Sequence, residues 1–140
     1  MSASSLTQLV ATASHASNAA NAAHQQPEPS ARARRQAEVL AALRPHVPQH
    51  ALLYQTEDTT PYECDGLTAY RQRPLVVCLP ETYEQVQAVL KACHAIDAPV
   101  IARGAGTGLS GGAMPHPMGV TLSLAKFNKI LKVDAYSRTA

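Results

Sequence analysis

The sequence has no tryptophan, one phenylalanine and five tyrosines. Much of its 46% hydrophobic share is alanine, so that figure overstates the core. Charge of one sign is also scarce: 12 Lys+Arg against 10 Asp+Glu leave a net charge of +2. With no clustered basic face, a nucleic-acid partner is not expected. No stretch approaches the ~18 apolar residues that a bilayer crossing requires, so no membrane span is expected. Cysteine is limited to Cys64, Cys78 and Cys93, an odd number without any C-x-x-C. That excludes a disulfide framework, argues against zinc and fits a reducing compartment. The histidines are scattered and no metal site is read from them.

What is present falls into unequal parts. Residues 1–33 form a low-complexity tail of Ala, Ser, Asn, Gln and Thr, closed by Pro27-Glu28-Pro29-Ser30. Too few aliphatic side chains occur there to offset the entropy of ordering, which predicts disorder. The tail lacks the early positive charge of a secretory signal and the interspersed arginines of a transit peptide. Residues 34–72 hold a short amphipathic helix, marked by Val39, Leu40 and Leu43 at helical spacing, and an acidic, turn-rich segment. Arg32, Arg34 and Arg35 read as the solvated start of that helix.

Residues 73–140 read as α/β structure. Leu75–Leu79 is a continuous apolar run between Pro74 and Pro80, the pattern of a buried strand. Thr82 and Gln85 make a capping box. Val86, Val89, Leu90, Cys93 and Ile96 then form one helical stripe. Pro99–Ala102 predicts a second strand, and the strand–helix–strand unit implies parallel pairing. Gly119–Leu124 predicts a third strand and Ile130–Asp134 a fourth. One helix cannot cover both faces of such a sheet, so the architecture reads as incomplete.

Five of the seven glycines lie in Arg103-Gly104-Ala105-Gly106-Thr107-Gly108-Leu109-Ser110-Gly111-Gly112, directly after a strand. Such a loop turns successive backbone N–H groups towards one point and binds anions, phosphates above all. Thr107 and Ser110 add hydroxyls and Arg103 a charge. The G-x-G-x-x-G match is not a dinucleotide fingerprint, because Pro115 and Pro117 follow and no helix opens. It is not a Walker A loop either, since no Lys-Ser/Thr follows Gly111. A helix-free pyrophosphate loop remains, with a plain surface turn as the bland alternative.

Tyr62-Glu63-Cys64-Asp65-Gly66-Leu67-Thr68-Ala69-Tyr70-Arg71, Arg73-Pro74 and the loop from Arg103 to Ala113 together resemble the FAD-linked subunits of bacterial glycolate oxidases. These belong to the FAD-linked oxidases with a PCMH-type (vanillyl-alcohol-oxidase-like) FAD-binding domain. The resemblance implies an α+β fold whose first βαβ lobe is residues 73–140, with FAD as cofactor. It implies that Arg103, Gly104, Ala105, Gly106, Thr107, Gly108, Ser110, Gly111 and Gly112 hold the pyrophosphate, and that Asp65 packs near the flavin. It further implies oxidation of a small 2-hydroxy acid such as glycolate, with electrons passed to other subunits of a glycolate oxidase complex. The expected location is the cytoplasm, with contact to the inner membrane through those subunits. The chain resembles the N-terminal piece of such an enzyme. No residue is expected to be catalytic, the 140 residues alone are expected to be inactive, and tight FAD binding is expected only of a longer chain. A stand-alone phosphate- or nucleotide-binding module and an inactive interaction fragment are the alternative readings.

In a chain extended to the family's full length, Gly106→Val is expected to abolish FAD retention. Flavin absorbance of the purified variant measures this, and full flavin content would overturn the loop assignment.

Overall fold

The computed structural model of the protein describes residues 30–140. Most of the expected tail lies outside the described residues, but its boundary at residue 33 falls inside a helix. Helix α1 runs Ala31–Leu43. Its start is fixed by Ser30, whose side-chain oxygen accepts the Ala33 N–H at 3.2 Å; a first helical turn leaves such donors otherwise unpaired. Val39, Leu40 and Leu43 are buried, as their spacing predicts.

Two of the arginines expected to be merely solvated are tethers. Arg32 donates to the carbonyls of Pro74, at 2.8 Å, and Pro117. Arg35 donates to the carbonyls of Ile96 and Asp97, each at 2.8 Å. Gln36 adds bonds to the carbonyls of Tyr54 at 3.1 Å and Leu75 at 2.8 Å. The polar side of α1 therefore supplies donors to backbone carbonyls far along the chain.

The four-residue helix α2, Thr56–Thr59, continues into a tight turn at Thr60–Tyr62. Helix α3, Tyr83–Ala95, is capped at both ends. Thr82 accepts the Gln85 N–H at 3.3 Å, while Gln85 Oε1 accepts the N–H of Glu81 at 2.7 Å, one residue before the cap. At the other end Asp97 adopts φ +50°. Its N–H reaches the His94 carbonyl at 3.2 Å, and the Ala98 N–H reaches Cys93 at 2.8 Å. This is the Schellman closure that satisfies the last carbonyls of a helix. Arg35 places a cation at the same negative end of the helix dipole. Val89 and Cys93 are buried, and Val86 and Ile96 pack against the core. Leu90 departs from the predicted stripe and stands 44% exposed, because only part of that side of the helix meets the sheet.

Four strands make one sheet: β1 (Leu52–Leu53), β2 (Val76–Cys78), β3 (Val100–Arg103) and β4 (Val120–Ser123). Their order is β1-β2-β4-β3. β4 pairs in parallel with β2 on one side (Val76↔Val120) and with β3 on the other (Val100↔Val120). β1 runs antiparallel to β2, with Leu52 opposite Cys78. The predicted strands at 75–79, 99–102 and 119–124 are therefore present, and α3 crosses from β2 to β3 over the place that β4 fills. The fourth predicted strand is not. Ile130, Leu131 and Val133 are exposed, and the segment offers only an isolated bridge between Asp134 and Thr139. Apolar, β-branched residues make a strand only when an edge pairs with them, and here none does.

Val76, Cys78, Val120 and Leu122 share one core with Val39, Leu40 and Leu43 of α1 and Val89 and Cys93 of α3, so both helices pack on one face of the sheet. By the alternation of strand side chains, Val77, Ile101, Thr121 and Arg103 fall on the other face. Gly119 lets β4 enter tightly beside β3: a Cβ there would lie 2.5 Å from the Pro99 carbonyl oxygen.

Burial pushes the Cys78 thiol up from 9.0 to about 12, with neighbouring Cys93 adding to the effect. Burial also raises Cys93. A raised native pKa means that the folded state holds its proton more tightly than the unfolded chain. Stability from Cys78 is therefore complete below about pH 9 and falls as pH rises towards 12. Denaturant titrations between pH 8 and 11 are expected to show this decline, and Cys78→Ala is expected to flatten it.

Candidate cofactor-binding site

β3 delivers the chain to the carboxyl end of the parallel strands, the edge at which open α/β sheets bind ligands. After Arg103 the backbone runs as a loop to Gly119, with no helix between β3 and its neighbour β4. Among the described residues, no backbone N–H from Gly104 through Gly112 donates a hydrogen bond. The first closure is at the far end, where Met114 N–H meets the Gly111 carbonyl at 3.1 Å. The side chains of Thr107 and Ser110 are exposed. This is a run of donors without protein acceptors, which is what an anion requires.

The glycines do different jobs. Gly106 and Gly111 take φ of +73° and +74°, left-handed conformations that other residues adopt only with strain. Gly104, Gly108 and Gly112 have nothing within 4 Å of where a Cβ would stand, so they leave open space along the exposed side of the loop. Gly66 does the reverse. A Cβ on it would lie 2.8 Å from the carbonyl oxygens of both Thr107 and Gly108, so the segment 62–66 presses directly against the loop as its floor.

Arg103 does not extend into that open side. Its Nη1 donates to the Cys64 carbonyl at 2.7 Å, and its guanidinium lies over the Tyr62 ring, 5.5 Å from the centroid. The guanidinium also fills the space a Gly106 Cβ would need, with Nη2 only 2.2 Å from it. Gly106 is thus favoured by its own φ and by the Arg103 guanidinium packed against its bare Cα. Asp65, next to Cys64, is 4% exposed. Its Oδ1 accepts the Leu67 N–H at 2.9 Å, and its Oδ2 is buried without a partner. The unpartnered donors of the loop fit a ligand that carries anionic oxygens. FAD is such a ligand.

The comparisons with known proteins agree. Residues 74–140 match the family model of the FAD binding domain. The glycolate oxidase subunit GlcD of Escherichia coli strain K12 is 55% identical over 102 residues, covering 73% of this chain and 20% of that protein. The D-2-hydroxyglutarate dehydrogenase of Xanthomonas citri pv. viticola is 35% identical over 100 residues, covering 71% of this chain and 21% of its own length. The chain thus spans about a fifth of the curated relatives that it matches. Among solved structures, an alkyldihydroxyacetonephosphate synthase superposes with a TM-score of 0.62 at 19% identity, over 70% of this chain and 20% of that one. The fold is the α+β, PCMH-type lobe that the motifs implied, and the cofactor is FAD.

The structure brings all nine expected loop residues together on one connection, with Arg103 turned beneath it. Sequence reasoning missed Gly66 and Tyr62 as its floor. The pairing of a solitary glycine with a distant glycine-rich loop leaves no local pattern. It also missed a groove of about 550 Å³ between Tyr83, at the start of α3, and Phe127 and Leu131, beyond β4. The groove lies at the same end of the sheet. Among the described residues, no helix is long and apolar enough to cross a membrane.

Gly108→Val is expected to leave the melting temperature of the FAD-free chain within about 2 °C, since the added methyls enter open space. It is expected to weaken FAD binding at least tenfold, as read by isothermal titration; unchanged affinity would place the ligand elsewhere.

Proposed function

We propose that this chain supplies the pyrophosphate-binding lobe of an FAD-dependent oxidoreductase that oxidises a small 2-hydroxy acid of the glycolate type. The run of undonated N–H groups from Gly104 to Gly112 carries the reading, supported by the 55% identity to a glycolate oxidase subunit. Hydrogen bonds to a charged group contribute about 1.5–3 kcal/mol each, so a few loop amides suffice to hold a pyrophosphate in place. Thr107 and Ser110 stand where their hydroxyls can add to them. Gly66 packs against the backbone of Thr107 and Gly108 and so supports the loop from the side of segment 62–66. Bound FAD supplies a two-electron acceptor for the hydride that leaves the carbinol carbon of the substrate. The residues here bind and orient; none is assigned a proton-transfer role.

Electrons would pass onward to other subunits of a glycolate oxidase complex, in the cytoplasm and reaching the inner membrane through those subunits. Titration of the purified chain with FAD up to millimolar concentration tests the cofactor reading. Weak, saturable 1:1 binding is expected, with no flavin bleaching on addition of glycolate. Absence of saturable binding by FAD, ADP or pyrophosphate would overturn it.

A further inference from the structure

Arg103 is the only Asp, Glu, Lys or Arg between Asp97 and Lys126, so it is the one fixed charge belonging to the loop. A sequence reader assigns it to the phosphate. The structure instead points its side chain back under the loop, where three contacts hold it: the Cys64 carbonyl at 2.7 Å, the Tyr62 ring at 5.5 Å, and the bare Cα side of Gly106. Gly66, two residues after Cys64, touches the loop again at Thr107 and Gly108. The segment 62–66 and the loop are thus clamped at two points.

We propose that Arg103 is a positioning residue for FAD rather than a phosphate ligand. Its guanidinium locks the loop against Cys64 and Tyr62 through one hydrogen bond and one stacking contact. Lysine lacks the planar face and the fork and cannot make these contacts together. The absence of a Cβ at Gly106 and the guanidinium at Arg103 are two halves of one device, since each occupies what the other leaves. The proposal rests on the FAD reading above.

A double-mutant cycle tests it, with FAD affinity measured by isothermal titration and folding of each FAD-free variant checked by thermal unfolding. Arg103→Lys is expected to weaken FAD binding at least tenfold although charge is kept. Gly106→Ala is expected to be severe in the wild-type background, where its methyl meets the guanidinium. In the Arg103→Ala background, where that space is empty, its effect is expected to be at least tenfold smaller. A direct phosphate ligand would behave otherwise: Arg103→Lys would retain binding within about threefold, and the two effects would add. That pattern overturns the proposal while leaving the FAD reading intact. If Arg103→Ala or either Gly106 variant fails to fold, the folded Arg103→Lys protein decides alone: retained affinity overturns the proposal and lost affinity supports it. Failure of the wild-type chain to bind FAD at all would overturn both.

Discussion

Strand β4 has partners on both sides, and the rest of the molecule is arranged around that fact. Its backbone groups are satisfied only by β2, some forty residues earlier in the sequence, and by β3, to which it is joined by the glycine loop. Neighbouring parallel strands cannot be joined by a tight turn, because the chain must return the length of the strand before it pairs again. Proteins usually make that return as a helix, whose amides are consumed internally. Here the return is irregular, and its amides stay available. The open donors of the loop are therefore a consequence of topology: a parallel β3–β4 connection made without a helix leaves its amides without protein acceptors.

Local signals in the sequence were reliable where the structure is local. Thr82 and Gln85 announced the start of α3, Val39, Leu40 and Leu43 the buried side of α1, and the glycine cluster the loop itself. Apart from the start of α1, where the Ser30 cap was passed over, the errors involve long-range partners. Leu52–Leu53 is too short to carry a strand pattern, and only the edge of β2 makes it one. Ile130–Val133 has the composition of a strand and no edge to join. Arg32 and Arg35 look like any charged helix start until the carbonyls of Pro74, Pro117, Ile96 and Asp97 arrive beside them. Strand order was likewise out of reach, since nothing local says that β4 inserts between β2 and β3.

The site was legible in its residues but not in their division of labour. Nine of the ten positions from Arg103 to Gly112 are assigned to one ligand by the family resemblance. Their separate roles needed coordinates: Gly106 and Gly111 for φ, Gly104, Gly108 and Gly112 for space, Arg103 as an internal brace. Gly66 packs against the same loop from about forty residues away, in the segment 62–71 that shares in the family resemblance without any local sign that it touches the loop.

The strand order also governs how the chain must be made. Synthesis releases β2, α3 and β3 well before β4, and in that interval β2 and β3 face one another across a missing strand. Helix α3 can form early from its own caps, and α1 can dock on it through Arg35. The sheet cannot close until β4 emerges, and most of its pairing is non-local, the kind that forms slowly. Until then the apolar edge of β2 is open to any other extended chain. Crowded nascent chains of this protein face their greatest hazard in that window, so its yield in cells should depend on chaperone supply more than on the stability of the finished fold.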